Sequence, residues 1–123
     1  NLPEARILAE LPEGSADECA EKLLPFCQSL LITGGHGDEE QIHNRLYLRD
    51  GSRHEFTCMR LPGSYHGSGC TLASTLAGRL ALGEEVVSAV RSALDYTWRT
   101  LRDAEQPGHG QFVPRRLPLD FCS

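Results

Sequence analysis

The chain has 123 residues, enough for one domain with a modest hydrophobic core, residues 1–123 being read as a single unit. Its formal net charge of −5 argues against a broad basic surface for nucleic acid, and no apolar run approaches the roughly 20 residues needed to span a membrane. Five cysteines at irregular spacing, with no Cys-x-x-Cys pair, exclude a zinc ribbon and fit free thiols in a reducing cytoplasm.

In chain order, Asn1-Leu2-Pro3-Glu4 reads as a helix start, with proline and an acidic residue in the first turn. The helix runs to Glu10 and stops before Pro12 and Gly14. Ser15 and Glu18 form a capping box for a second helix, whose apolar face holds Ala16, Cys19, Ala20, Leu23 and Leu24. Ser29 to Thr33 is a short apolar run closed by Gly34-Gly35, read as a buried strand. A helix feeding such a strand implies an α/β fold with a parallel sheet. After a polar loop, Ile42 to Arg49 alternates, with Ile42, Asn44, Leu46 and Leu48 on one side and His43, Arg45 and Tyr47 on the other. Asp50-Gly51 then turns the chain into His54 to Leu61, an antiparallel hairpin at a sheet edge. Thr71 to Leu82 and Glu84 to Ala104 are helices separated by Gly83. The tail, Gln106 to Ser123, has no periodicity.

Chemistry concentrates in His66-Gly67-Ser68-Gly69-Cys70-Thr71, directly before a helix. Glycines let backbone approach a ligand closely, and a helix N-terminus presents unpaired N–H groups and a positive dipole end. The turn is therefore a candidate anion site, and equally a plain connection. Cys70 is either a packed thiol or, at a helix N-terminus that favours the thiolate, a chemical group. His66 either orients a phosphate or satisfies the loop backbone. Gly34-Gly35-His36 follows a strand, where α/β sheets bind ligands, and also serves as an ordinary turn. A metal site from Cys58, His66 and Cys70 lacks supporting spacing. Lys22 and the arginines, Arg115 and Arg116 included, read as solvated surface.

Several segments together are more specific than any one. Asn1-Leu2-Pro3-Glu4-Ala5 resembles the end of the Thr-Pro-Asn-x-x-Glu-Ala segment of hydroxymethylpyrimidine/phosphomethylpyrimidine kinases. Leu31-Ile32-Thr33-Gly34-Gly35-His36 resembles their strand-to-Gly-Gly-His segment. His66 to Leu72 resembles their His-Gly-Thr/Ser-Gly-Cys-Thr-Leu signature, and Gly108-His109-Gly110 a C-terminal Gly-x-Gly element. The motifs occur in the family's order and the similarity covers nearly the whole chain.

The resemblance implies the C-terminal portion of a ribokinase-like fold, a mostly parallel sheet flanked by helices with an edge β-hairpin. It implies ATP and magnesium as cofactors and hydroxymethylpyrimidine or its phosphate as substrate, with phosphoryl transfer in thiamine biosynthesis. Gly67, Ser68 and Gly69, with His66, would form the anion hole, and Cys70 would be the catalytic base. Thr33, Gly34 and Gly35 would meet the nucleotide, Thr33 standing where many members carry lysine. Asn1 and Glu4 match the segment that handles magnesium and phosphate. Because the chain opens on Asn1 and the family's N-terminal half has no counterpart here, it is expected to be part of a longer protein or to self-associate, and to be inactive alone. The alternatives are a non-catalytic nucleotide-binding or oligomerising module derived from such a kinase, and a fragment of a pyridoxal-type kinase.

Overall fold

The computed structural model describes residues 1–35, 37–63, 65–104 and 108–117. His36 of the Gly-Gly-His segment, Cys122 and the remainder of the tail lie outside the described residues. The chain divides into two compact units, Asn1–Arg60 and Leu61–Ser123.

The first unit opens with a turn that caps itself. Asn1 Oδ1 accepts the Glu4 N–H at 2.9 Å, while the Glu4 carboxylate returns to the Asn1 nitrogen at 2.8 Å. Helix α1, Leu2–Ala9, follows and ends at Glu10 in the left-handed region, before Pro12 is reached. Ser15 and Glu18 make the expected reciprocal cap, each bond 3.1 Å, and start α2, Ala16–Leu23. Pro25 turns the end of α2 into one 3₁₀ turn, Leu24–Phe26.

Three strands follow: β1 at Ser29–Ile32, β2 at Gln41–Leu48 and β3 at Arg53–Met59. Asp50-Gly51 forms the hairpin turn, with Gly51 at φ 91° and both the Ser52 N–H and hydroxyl donating to Asp50 Oδ1. Pairing sets Leu46 opposite His54, Asn44 opposite Phe56 and Ile42 opposite Cys58. The sheet order is β1-β2-β3, antiparallel throughout.

These strands therefore do not themselves make the parallel part of the expected sheet. The loop from Thr33 to Glu40 brings the chain straight back beside β1, and β1 has no parallel neighbour among the described residues. That leaves β1 at an edge and β2 central. Leu30 and Leu31 are only half-buried, whereas Ile32 is 4% exposed. The core of the unit joins Ala5 and Ala9 of α1, Ala16, Cys19 and Ala20 of α2, Ile32 and Tyr47. Small side chains let α1 and α2 pack closely together and α2 lie against β1. Tyr47, assigned by alternation to the polar side, is buried because its hydroxyl finds Asp17 Oδ1 at 2.7 Å.

The second unit is built on two packed helices, α3 at Ser68–Ala81 and α4 at Val86–Arg102. Gly83, at φ 85°, follows the C-cap of α3 and ends that helix. Helix α3 begins three residues earlier than expected, so Ser68, Gly69 and Cys70 are its first turn rather than the preceding loop. The buried line of α4 is Ala89, Val90, Ala93, Thr97 and Thr100, one position off the larger Val87, Leu94, Trp98 and Leu101. The threonines tolerate burial because their hydroxyls donate back to the Ala93 and Thr97 carbonyls, each at 2.7 Å.

The tail returns to the start of α3. Phe112 pairs with Tyr65 in a parallel bridge, its carbonyl accepts the His66 N–H at 2.8 Å, and the two rings lie 5.6 Å apart. The Arg115 N–H donates to the Thr100 carbonyl at 2.9 Å, and the Tyr96 hydroxyl donates to the Arg116 carbonyl. No helix among the described residues is long and apolar enough to cross a membrane.

Candidate active site

The glycine-rich turn owes its shape to one residue. Gly67 stands at the N-cap of α3 with φ 90°, in the left-handed region that side chains disfavour. Its carbonyl accepts both the N–H of Thr71 at 3.0 Å and the Thr71 hydroxyl at 2.8 Å. A glycine cap brings no side-chain acceptor, so the amides of Ser68, Gly69 and Cys70 enter the first turn without a capping bond. A Cβ built on Gly69 would meet nothing within 4 Å, which leaves the space beside that residue open. The turn thus offers uncapped N–H donors at the positive end of a 14-residue helix.

Cys70 is the third residue of α3 and is exposed. It contrasts with the half-buried Cys58 on β3, whose thiol is pushed up by burial. His66 is anchored through its backbone while its side chain is exposed. Among the described residues no group of three or more His, Cys, Asp or Glu could hold a metal ion.

One residue at this turn was passed over in the sequence. Arg116 donates from Nε to Thr71 Oγ1 at 3.0 Å, and its Nη2 lies 3.0 Å from where a Cβ on Gly67 would stand. Read linearly, Arg115-Arg116 is a pair of tail cations. Only the Phe112 bridge brings the second of them over the turn, and no local pattern signals that.

The first unit holds the other expected residues. Thr33, Gly34 and Gly35 leave the end of β1 and, with Leu2, His43 and Arg45, line a recess of about 260 Å³. Gly34 is required by close approach, since a Cβ there would come 2.4 Å from the His43 carbonyl oxygen. Its N–H donates to Oδ1 of the buried Asn44 at 3.2 Å. Gly35 is required by conformation, at φ 100°. Arg45 brings a positive charge to this recess and Glu39 a negative one, while Thr33 brings neither. His43 Nδ1 meets Glu55 Oε1 at 2.9 Å, while Arg45 Nε is 3.6 Å from the same oxygen, beyond hydrogen-bonding reach. Arg45 Nε is accordingly buried without a hydrogen-bond partner. Asn1 and Glu4 supply an amide and a carboxylate oxygen from one helical turn, both engaged in the cap. Oxygen donors of this type, one carboxylate completed by phosphate and water, suit magnesium.

The sequence model of the phosphomethylpyrimidine kinase family matches residues 1–115. The chain belongs to this family. Its relatives include the hydroxymethylpyrimidine/phosphomethylpyrimidine kinase of Escherichia coli, 33% identical over 118 residues, covering 89% of this chain and 44% of that protein. The thiamine biosynthesis bifunctional protein ThiED of Geobacter sulfurreducens is 35% identical over 119 residues, covering 89% of this chain and 23% of that protein. The chain thus spans less than half the length of these curated relatives. Among solved structures, Staphylococcus aureus pyridoxal kinase in complex with AMP-PCP and pyridoxal superposes with a TM-score of 0.86 at 23% identity, over 94% of this chain and 45% of that one. At that identity the match establishes the fold, which is the ribokinase-like α/β fold of these kinases.

Proposed function

We propose that this chain is the ATP- and phosphate-handling part of a hydroxymethylpyrimidine/phosphomethylpyrimidine kinase of thiamine biosynthesis. The observation that carries the reading is the left-handed Gly67 opening α3 without a capping side chain, with Cys70 exposed in its first turn. In the complete kinase the substrate hydroxyl oxygen attacks the γ-phosphorus of ATP, the bond to the β,γ-bridging oxygen breaks, and ADP leaves. Cys70 Sγ receives the hydroxyl proton. The amides of Ser68, Gly69 and Cys70 hold the charge on the phosphoryl oxygens, with His66 beside them. Such transfer depends chiefly on positioning and electrostatic stabilisation.

Thr33, Gly34 and Gly35 would take the nucleotide phosphates, and Glu4 with Asn1 would hold magnesium. When bound, the metal neutralises phosphate charge. The oxygen chemistry of that pair and the Arg45 guanidinium at the recess support this assignment. Free thiols and the absence of a spanning helix among the described residues fit a cytoplasmic setting.

The test is ATP-dependent phosphorylation of hydroxymethylpyrimidine by the complete kinase that contains this chain. Cys70→Ala is expected to lower kcat by about 10²–10⁴-fold. Unchanged turnover removes Cys70 from catalysis. The pyridoxal-kinase fold match supports a second reading, which phosphorylation of pyridoxal without phosphorylation of the pyrimidine would establish. Calorimetry with ATP-Mg and the pyrimidine tests the remaining one, a non-catalytic module that binds nucleotide and ignores the pyrimidine.

A further inference from the structure

The segment from Phe112 to Arg116 is stitched to the second unit from several directions. Its start pairs with the residues just before the turn, through the isolated Tyr65–Phe112 bridge and the His66 N–H on the Phe112 carbonyl at 2.8 Å. Its end is held on α4 by the Arg115 N–H on Thr100 and by the Tyr96 hydroxyl on the Arg116 carbonyl. Gly63 provides room for the Phe112 ring, which a Cβ there would meet at 3.2 Å. This strap fixes where the Arg116 side chain begins.

The side chain then does two things at once. Nε donates to the hydroxyl oxygen of Thr71, a residue 3% exposed whose own hydroxyl proton goes to the Gly67 carbonyl. Arg116, Thr71 and Gly67 therefore form one relay, and the relay ends on the peptide whose orientation aims the first amides of α3. Nη2 meanwhile sits 3.0 Å from the Gly67 Cβ position. No carboxylate among the described residues pairs with this guanidinium. The guanidinium belongs to an exposed residue and stands beside first-turn amides that no side chain of the N-cap caps, an arrangement that suits an anion and disfavours a cation.

We propose that Arg116 is a positioning residue for the phosphoryl-binding turn, holding Gly67 in its left-handed conformation through Thr71 while placing a fixed positive charge beside the amides. The proposal rests on the reading of Gly67–Cys70 as an anion loop. It assigns a role in the active site to the C-terminal strap.

The test uses the full chain with inorganic phosphate as probe, followed through the ¹⁵N–¹H amide resonances of Ser68, Gly69 and Cys70. In the unmodified chain these resonances shift saturably. In Arg116→Ala the phosphate dissociation constant rises about tenfold, as loss of a charge-assisted contact implies. Arg116→Lys retains charge without the fork and falls between the two. Millimolar methylguanidinium restores phosphate binding to Arg116→Ala, a rescue that a purely structural role would not give. If Arg116→Ala disperses its resonances poorly, the comparison passes to Arg116→Lys, whose titration must then be weaker than that of the unmodified chain. Equal phosphate affinity in the unmodified chain and the folded variant overturns the Arg116 assignment and leaves the anion loop standing. Absence of any shift in the unmodified chain overturns the anion loop itself, and the assignment with it.

Discussion

Tyr47 shows how one hydroxyl can tie burial to acidity. Its ring lies in the core of the first unit, and its oxygen donates to Asp17, which also receives Arg53 Nη1 on both carboxylate oxygens at 2.9 Å. The Tyr47 bond first, and the Arg53 pair second, hold the Asp17 carboxyl below its ordinary value of 3.8. Burial and the Asp17 bond push the Tyr47 phenol above 10.0. The two signs differ. A depressed carboxyl contributes stability that is present above its unfolded value and lost as pH falls through the folded one. A raised phenol contributes stability that is complete below 10.0 and lost as pH rises above it. Tyr47→Phe should therefore flatten both limbs of a plot of urea midpoint against pH and cost about 1 kcal/mol near neutrality. Arg53 should preserve part of the acid limb, weakened by salt because Asp17 is more than half exposed. An acid limb unchanged in the variant would count against the bond. Nothing in the local sequence revealed it: strict alternation places Tyr47 with His43 and Arg45, and its partner lies 30 residues away.

At the level of elements, contact distance decides where glycine is needed. The end of β1 must pass the backbone of β2 so closely that Gly34 has no room for a methyl group beside the His43 carbonyl. Because the obstacle is backbone, Gly34→Ala should separate β1 from β2 and cost about 3 kcal/mol, read as a lowered urea midpoint with an unchanged slope. Gly37→Ala, with nothing near its Cβ position, should be close to neutral and serves as the control. The elements legible in the sequence were those specified by neighbours. Ser15 with Glu18 announced α2, Asp50-Gly51 announced the hairpin, and Gly83 marked the end of α3. Glycine inside Gly67-Ser68-Gly69 was ambiguous, since the same residue can prolong a loop or open a helix. Left-handed Gly67 opens it, which moves Cys70 from the lip of the turn into the first turn of α3. Among the described residues the strands pair antiparallel within the expected α/β fold, and the pairing itself was not legible. A hydrophobic run states that a strand exists without stating its neighbour, and β1 finds β2.

Across the molecule, the apolar residues left outside the cores are large. Ile7 and Leu8 on α1 are 77% and 72% exposed, Phe26 is 86% and Leu82 is 88%. Two adjacent exposed aliphatics on a helix whose other face carries Ala5 and Ala9 suggest a surface that works against another partner. The chain is expected to associate with itself or with another part of the kinase. Size-exclusion chromatography should give an elution volume that depends on concentration, and Ile7→Glu with Leu8→Lys should abolish that dependence. A stable dilute monomer with native helices would argue otherwise. Family membership was readable from motifs, because short segments survive in order. The joining of the strap to the turn was not, because it links chain positions 45 apart through Arg116 and Thr71. That separation also dictates a sequence of events during synthesis. Closing the Tyr65–Phe112 bridge joins residues on either side of both helices, and the entropy of so large a closure is recovered only when the final contacts form. A nascent chain can therefore build α3 well before it can shape the turn at its head. The turn at Gly67–Cys70 gains its Arg116 contact only after residues 112–116 have left the ribosome.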